Sequence, residues 1–129
     1  MGTRATAQGY KPMNGGKWIT RERRLAIYIR DGFICQYCGR DMRNADPVEV
    51  SLDHLQARSH GGNNNSDNLV TACRSCNSAR GNKDWADYAT GGAVERIQAQ
   101  RHAYVNVTLA KAIIAGTIDR DTIDLESAR

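Results

Sequence analysis

Cys35-Gln-Tyr-Cys38 and Cys73-Arg-Ser-Cys76 are the two stretches that decide the fold of this 129-residue chain, and they contain all four of its cysteines. Each C-x-x-C pair forms a tight turn that points two sulfurs at one ion, and four thiolates satisfy tetrahedral Zn²⁺ at about 2.3 Å. A redox dithiol is the alternative, although neither pair lies in a thioredoxin-like setting of strand and helix. The pattern predicts a closed, structural zinc site.

The composition favours such a metal site. The chain has one Phe and two Trp, and its mean hydropathy is −0.60, so its apolar core is thin for a small domain. It contains no run of about 18 apolar residues, and its N-terminus lacks the apolar stretch of a signal peptide. We therefore expect no membrane association and a reducing, cytoplasmic setting, where C-x-x-C pairs are metal ligands before they are disulfides.

The predicted elements make this an α+β protein. Thr20 is placed to cap a helix over residues 21–30, and Gly32 is placed to end it. Between the cysteine pairs, alternation predicts a strand over 48–52 and a short second strand over 69–72, with a loop rich in Gly and Asn over 56–67. The second pair opens a short helix over 74–80, which Gly81 ends.

Composition divides the chain into four parts. Residues 1–16 are a flexible basic arm, and residues 17–88 hold both cysteine pairs. Residues 89–116 carry an apolar stripe at helical spacing, which predicts one amphipathic C-terminal helix that packs on the domain, on a partner protein or on a second copy. Residues 117–129 form an acidic tail, which we expect to fray.

Further motifs stand in order around the cysteines: Leu52-Asp-His-Leu55, Gly61-Gly62, Asn68-Leu-Val70, and Asn77 directly after the last cysteine. With Ile27–Gly39 before them, they give residues 17–88 a pattern that resembles the HNH endonucleases, in particular small bacterial or phage members. The resemblance implies a ββα-metal fold beside the zinc site of four cysteines. Family members often carry Pro shortly after the histidine, where this chain has Gln56-Ala57, and a Lys-Gly where it has Arg80-Gly81.

The resemblance also implies roles for four side chains. Asp53 and Asn77 would bind one catalytic Mg²⁺ or Mn²⁺, which prefers oxygen ligands and keeps several waters. His54 would act as the general base that deprotonates the attacking water. Asn68 would hold the loop and orient the histidine. The expected reaction is hydrolysis of DNA phosphodiester bonds, by nicking or double-strand cutting, with 5′-phosphate and 3′-hydroxyl products.

Charge favours a polyanionic partner. Residues 1–30 carry seven Lys or Arg against one Glu, a net +6, so phosphate contacts from residues 11–30 would give weakly specific binding to DNA, with RNA not excluded. Arg58, Arg80 and Lys83 are candidate phosphate-binding residues, although a solvated cationic helix end is the alternative for Arg80 and Lys83. His60 is a candidate substitute for the metal ligand or the base.

Two other functions fit the same motifs. One is a non-catalytic zinc module that only binds nucleic acid. The other is a module of a phage packaging or restriction complex, in which the zinc fold contacts a protein partner. The Asp-His pair and the asparagine after the last cysteine argue against the first of these, whereas the second does not exclude nuclease activity.

Overall fold

A computed structural model describes residues 19–125, so the predicted basic arm over 1–16 and residues 126–129 of the tail lie outside the described part. The described elements are α1 (Arg21–Arg30), β1 (Val50–His54), β2 (Leu69–Cys73), α2 (Arg74–Arg80), α3 (Trp85–Tyr88), α4 (Ala93–Gln100) and α5 (Val107–Ile114). Helices and a small two-stranded antiparallel sheet are present together, which confirms the α+β class.

Helix α1 begins and ends where the sequence predicts. The Thr20 Oγ1 atom accepts a hydrogen bond from the Arg23 amide at 3.1 Å, which satisfies one free donor of the first turn. The apolar face of α1 is buried, and Ile27 is completely so. Gly32 follows the helix with φ +69°, a left-handed conformation that glycine adopts without strain.

The two strands and α2 form a ββα unit. β1 pairs with β2 in antiparallel register, with Asp53 opposite Val70 and His54 opposite Leu69. α2 starts directly after β2, and the Cys73 side chain caps it by accepting from the Cys76 amide. The second cysteine pair therefore joins the sheet to the helix that the resemblance predicts.

The first strand starts two residues later than predicted. Val48 belongs instead to a 3₁₀ turn over Pro47–Glu49, and its amide donates to the Asp46 carboxylate at 3.1 Å. Proline fixes φ for such a turn and the aspartate caps it, so these two local preferences override the alternating pattern.

The outer edge of β2 is covered by the end of α1 and the first cysteine turn. Arg30 donates to the Leu69 carbonyl at 2.6 Å, and the Asp31 carboxylate accepts from the Thr71 amide at 2.8 Å. The Gln36 amide donates to the Thr71 carbonyl at 3.0 Å. Arg30 and Asp31 also form a buried ion pair at 2.9 Å. Arg30 is therefore a structural residue, and its inclusion in the DNA-binding front of the chain was wrong.

The C-terminal region contains two helices, so the prediction of one helix over 89–116 was wrong. α4 ends near residue 100 and α5 begins after Asn106, whose Oδ1 atom accepts from the Leu109 amide at 3.0 Å. That side chain satisfies a donor of a new first turn, which starts a second helix within an uninterrupted apolar stripe.

Both of these helices pack within the chain. Ile97 of α4 is completely buried in the same core cluster as Cys35 and Cys73, so the packed domain continues beyond residue 88. α5 packs along α1, with Ala110 completely buried. Of the predicted alternatives, packing on the domain is therefore the one observed, and nothing supports a dimer or partner surface on α5.

The beginning of the acidic tail is also docked. The Arg120 guanidinium lies 4.8 Å from the centre of the Phe33 ring and donates to the Arg43 carbonyl at 2.7 Å. Arg43 donates in return to the carbonyls of Arg120 and Ile123. Fraying was therefore the wrong expectation for the described part of the tail, because a cation–π contact and reciprocal arginine bonds hold it.

Candidate active site and cysteine cluster

The four cysteines meet at one point. Their Sγ atoms all lie within 4.8 Å of one another, and none is in a disulfide. A tetrahedral Zn²⁺ with sulfurs at about 2.3 Å requires sulfur–sulfur distances of about 3.8 Å, and Cys38 and Cys73 are separated by 3.9 Å. The amide of Cys38 donates to the Cys35 sulfur at 3.5 Å, and that of Cys76 to the Cys73 sulfur at 3.4 Å. This cysteine cluster can hold a metal such as zinc.

Within residues 19–125, the main influences on the Cys76 thiol are burial and its neighbours Tyr88, Cys35 and Cys73, none of which is a cation. Burial raises the pKa of the Cys76 thiol to about 12. A hydrogen bond with Cys76 raises the pKa of Tyr88 to about 12 as well. A bound dication would supply the missing charge and deprotonate the sulfurs, so the donor set fits zinc.

Asp53, the predicted metal ligand, is buried and already bound. Its Oδ2 atom accepts hydrogen bonds from the Tyr37 hydroxyl and, at 2.7 Å, from the Arg80 guanidinium. Burial and the adjacent carboxylate charge raise the pKa of Tyr37 well above its usual range, which keeps the phenol a donor. Within residues 19–125, the hydrogen bonds to this carboxylate fall on Oδ2, so Oδ1 is the oxygen that a cation could use.

Arg80 is a structural residue in this arrangement. It is 6% exposed, and besides Asp53 it donates to the carbonyls of His54 at 2.7 Å, Leu55 at 2.8 Å and Lys83 at 2.8 Å. Four of its five N–H donors are used by Asp53, the end of β1 and the turn after α2. Arg80 also lines the cavity described below, and its role in phosphate binding stays a prediction.

His54, the predicted base, is half-buried at the end of β1. Its Nε2 atom lies 2.7 Å from Oδ1 of Asn64, a loop residue that the sequence analysis did not single out. Asn64 is in turn tied to α1, because its carbonyl accepts from the Arg23 guanidinium at 2.7 Å. The imidazole therefore has a fixed neighbour on one nitrogen.

Asn68 holds the loop between the strands. Its Oδ1 atom accepts from the Gln56 amide at 2.8 Å, and its Nδ2 atom donates to the carbonyls of Gln56 at 3.0 Å and Asn63 at 2.8 Å. Gly62 lies within the same turn, and a Cβ atom there would stand 1.7 Å from the Gln56 carbonyl oxygen. The loop is closed by backbone contacts that allow no side chain at Gly62.

Asn77 faces the sheet from α2. Its Nδ2 atom donates to the Ser51 hydroxyl at 2.9 Å and lies 3.4 Å from the Leu52 carbonyl. Because the amide nitrogen is used by β1, the Oδ1 atom is the end of the side chain left to accept or to bind a cation.

One cavity of about 780 Å³ brings these residues together. Its lining includes Asp53, His54, Asn68 and Asn77, although they come from one strand, the loop after it and a helix. The candidate phosphate ligand Lys83 also lines it, as do His60 and Arg101. Arg58 is exposed on the 3₁₀ turn over Arg58–His60 and is not one of the lining residues.

Sequence reasoning missed Tyr37, Asn64 and Arg101. Tyr37 is a spacer residue inside the first C-x-x-C pair, and nothing in the sequence around it signals its contact with Asp53. Asn64 was one of three consecutive asparagines in the loop. Arg101 falls within the apolar stripe over residues 89–116, which predicts packing, whereas its Nε atom donates to the Asp67 carbonyl at 2.7 Å at the rim of the cavity.

Comparison with known proteins agrees with this geometry. The family model described as HNH endonuclease matches residues 35–83, which span both cysteine pairs, both strands and α2. No curated protein and no solved structure gives a significant match. Across residues 19–125, none of the helices has the length and apolar character needed to cross a membrane.

Proposed function

We propose that this chain, which carries an HNH endonuclease domain at residues 35–83, is a divalent-metal-dependent endonuclease that hydrolyses DNA phosphodiester bonds. The observation that supports this most is the shared cavity, which collects Asp53, His54, Asn68 and Asn77 around one space large enough for a phosphate and its waters. Cleavage would be weakly sequence-specific, because phosphate contacts carry no base information.

His54 would perform the proton transfer. One ring nitrogen takes a proton from a water molecule, whose oxygen then forms a bond to phosphorus while the bond from phosphorus to the 3′ oxygen breaks. The departing 3′ oxygen takes a proton from solvent and His54 returns its proton to solvent, which leaves 5′-phosphate and 3′-hydroxyl ends. General-base catalysis of this kind is worth roughly 10²- to 10⁴-fold in rate.

Asp53 and Asn77 are the residues that would hold one Mg²⁺ or Mn²⁺, through the Oδ1 atoms that their other contacts leave over. Two protein oxygens suit a hard cation that keeps several waters. When bound, such an ion supplies stabilisation of the charge that develops on the phosphate and the departing oxygen. Asn68 would keep the loop closed so that the cavity has one shape.

Nucleic acid is the partner that an HNH domain implies, and DNA is our proposal for its kind. Lys83 and Arg101 at the cavity, with Arg58 nearby, would contact phosphates. A reducing compartment, such as the cytoplasm of a bacterial or phage-infected cell, would keep the four thiols available for zinc.

One observation favours a second candidate, a zinc module that binds nucleic acid without cutting it. The Arg80 guanidinium already neutralises the Asp53 carboxylate at 2.7 Å, so the site has little net negative charge with which to attract a dication. In that case the cavity would accept phosphate but support no hydrolysis.

A supercoiled-plasmid assay on zinc-loaded protein separates the two candidates. The nuclease should produce nicked or linear DNA with Mg²⁺ or Mn²⁺ and none with EDTA at a concentration that leaves zinc in place. Plasmid that is retarded on a gel but stays intact with every metal would reject the nuclease and support the binding module.

A further inference from the structure

Asn64 contacts the ring of His54 directly through its side-chain oxygen. We infer that Asn64 is a positioning residue that selects the tautomer and the orientation of His54, so that Nδ1 is the nitrogen that takes the proton. This inference rests on the proposed nuclease function, because only a catalytic histidine needs its free nitrogen aimed.

The atoms in contact determine the tautomer. Nε2 of His54 lies 2.7 Å from Oδ1 of Asn64, and an amide oxygen can only accept. Nε2 must therefore carry the proton in the neutral ring, which leaves the lone pair on Nδ1. A base in the other tautomer would present a proton where it has to receive one.

Asn64 can act in this way because its own backbone is fixed. Its carbonyl accepts from the Arg23 guanidinium at 2.7 Å, which ties it to α1. On its N-terminal side, the Asn63 carbonyl accepts from Asn68 at 2.8 Å and the Asn63 side chain accepts from the Asn65 amide at 3.0 Å. The Asn64 side chain that contacts the imidazole therefore lies on a backbone segment that hydrogen bonds fix both at Asn64 and at Asn63.

Asn68, by contrast, acts on the backbone of the loop and not on the histidine ring. Its hydrogen bonds run to the backbone of Gln56 and Asn63, so any effect it has on His54 must pass through the loop. Asn64 contacts the imidazole directly. A substitution at Asn64 should therefore change the tautomer of His54 without first changing the loop.

The test uses Asn64→Leu and Asn64→Asp, two substitutions that keep the number and branching of the side-chain heavy atoms. Leu removes the acceptor, whereas Asp retains an acceptor oxygen at the same distance along the side chain. Asn65→Ala is the matched control, because Asn65 is exposed and makes its contact to Asn63 through its backbone amide. Thermal unfolding and zinc content verify that each variant is folded.

The first readout is ¹⁵N–¹H NMR of the imidazole nitrogens in protein without added Mg²⁺ or Mn²⁺. The chain has three histidines, and the spectrum of His54→Ala identifies the signals of residue 54. We expect the Nε2-protonated tautomer in the wild type, Asn64→Asp and Asn65→Ala, and a mixture of tautomers in Asn64→Leu. An unchanged tautomer in Asn64→Leu would overturn the inference.

The second readout is plasmid cleavage, separated into kcat and KM. Loss of a residue that orients a catalytic group typically costs about 10- to 100-fold, so Asn64→Leu should lower kcat by that factor with little change in KM. Asn64→Asp should recover most of the kcat with a higher KM, because its added charge repels phosphate. An equal loss of kcat in Asn65→Ala would refute positioning by Asn64.

The two readouts also separate this inference from the proposed function. A wild-type protein that cleaves nothing would reject the nuclease, and the NMR comparison would still determine whether Asn64 sets the tautomer. Normal cleavage by Asn64→Leu with a mixed tautomer would instead retain the nuclease and reject the catalytic importance of Asn64.

Discussion

The cysteine cluster and the loop over residues 55–68 are built on opposite principles. In the cluster, four thiols converge, and burial raises the pKa of Cys76 to about 12. In the loop, polar groups are already satisfied by the protein itself, through Arg23 from α1, Arg80 from α2 and Asn68 beside β2. The cluster offers four ligands to an ion, whereas the polar groups of the loop are satisfied by contacts within the protein.

The largest expected effect comes from removing the metal of the cluster. Structural zinc contributes about 10–16 kcal/mol of apparent binding energy in small zinc domains, comparable with the whole stability of a domain. A strong zinc chelator should therefore abolish cooperative thermal unfolding, and added zinc should restore it. Calorimetry that shows the same transition in metal-free protein would mean that the cluster is not a structural site.

Arg80→Met should have the next largest effect, because Arg80 connects the loop to α2. The substitution leaves the buried Asp53 carboxylate without its 2.7 Å partner, and breaking a buried pair costs about 3–5 kcal/mol. Chemical denaturation measures this loss.

Two variants sharpen the Arg80 comparison. Lys83→Met removes an exposed cation nearby and should change stability by no more than about 0.5 kcal/mol. Asp53→Asn combined with Arg80→Met should recover part of the loss, since no buried charge then lacks a partner. Equal stabilities for Arg80→Met and Lys83→Met would show that the ion pair does not hold the loop.

Gly62→Ala tests the tight closure of the loop. The new Cβ would stand 1.7 Å from the Gln56 carbonyl oxygen, so the backbone must move, at a cost of about 1–3 kcal/mol, and cleavage should fall with it. Gly92→Ala is the control, because no atom lies within 4 Å of the Cβ position there. A Gly62→Ala protein with wild-type stability and cleavage would show that the loop tolerates a side chain at residue 62.

The smallest effect is expected at Lys83. Removing one phosphate contact reduces the slope of log affinity against log salt by about 0.9, so Lys83→Ala should weaken DNA binding modestly and flatten its salt dependence. Lys111→Ala, an exposed lysine on α5 away from the cavity, should leave both unchanged. Fluorescence anisotropy at several salt concentrations measures the two slopes, and identical slopes would exclude Lys83 from the interface.

Much of the fold could be predicted from local signals. The cysteine spacing, the Thr20 cap and the Gly32 stop gave the cluster and α1, and the helix after the second cysteine pair lies at residues 74–80 as predicted. The C-terminal helices were not separated because the apolar stripe keeps its period through residues 101–106, and the cap at Asn106 was the signal that mattered.

The partners of buried charges could not be predicted. Arg30 and Arg80 have the same sequence signal as the exposed arginines around them, yet both are buried and bind carbonyls far away along the chain, such as Leu69 and Leu55. The contact of Asn64 with His54 could not be predicted either, because residues 63–65 are all asparagine and only the folding of the loop determines which of them reaches the ring. Long-range packing distinguishes these residues, and a single sequence does not contain it.

The central claim is that the cluster holds the fold and His54 performs the chemistry. Its most direct test measures plasmid cleavage, zinc content and thermal unfolding on the same samples of wild type, His54→Ala and His60→Ala. The account predicts that His54→Ala loses at least about 100-fold in cleavage rate while it keeps its zinc and a cooperative transition, and that His60→Ala stays close to wild type. Cleavage by His54→Ala at the wild-type rate would contradict the account.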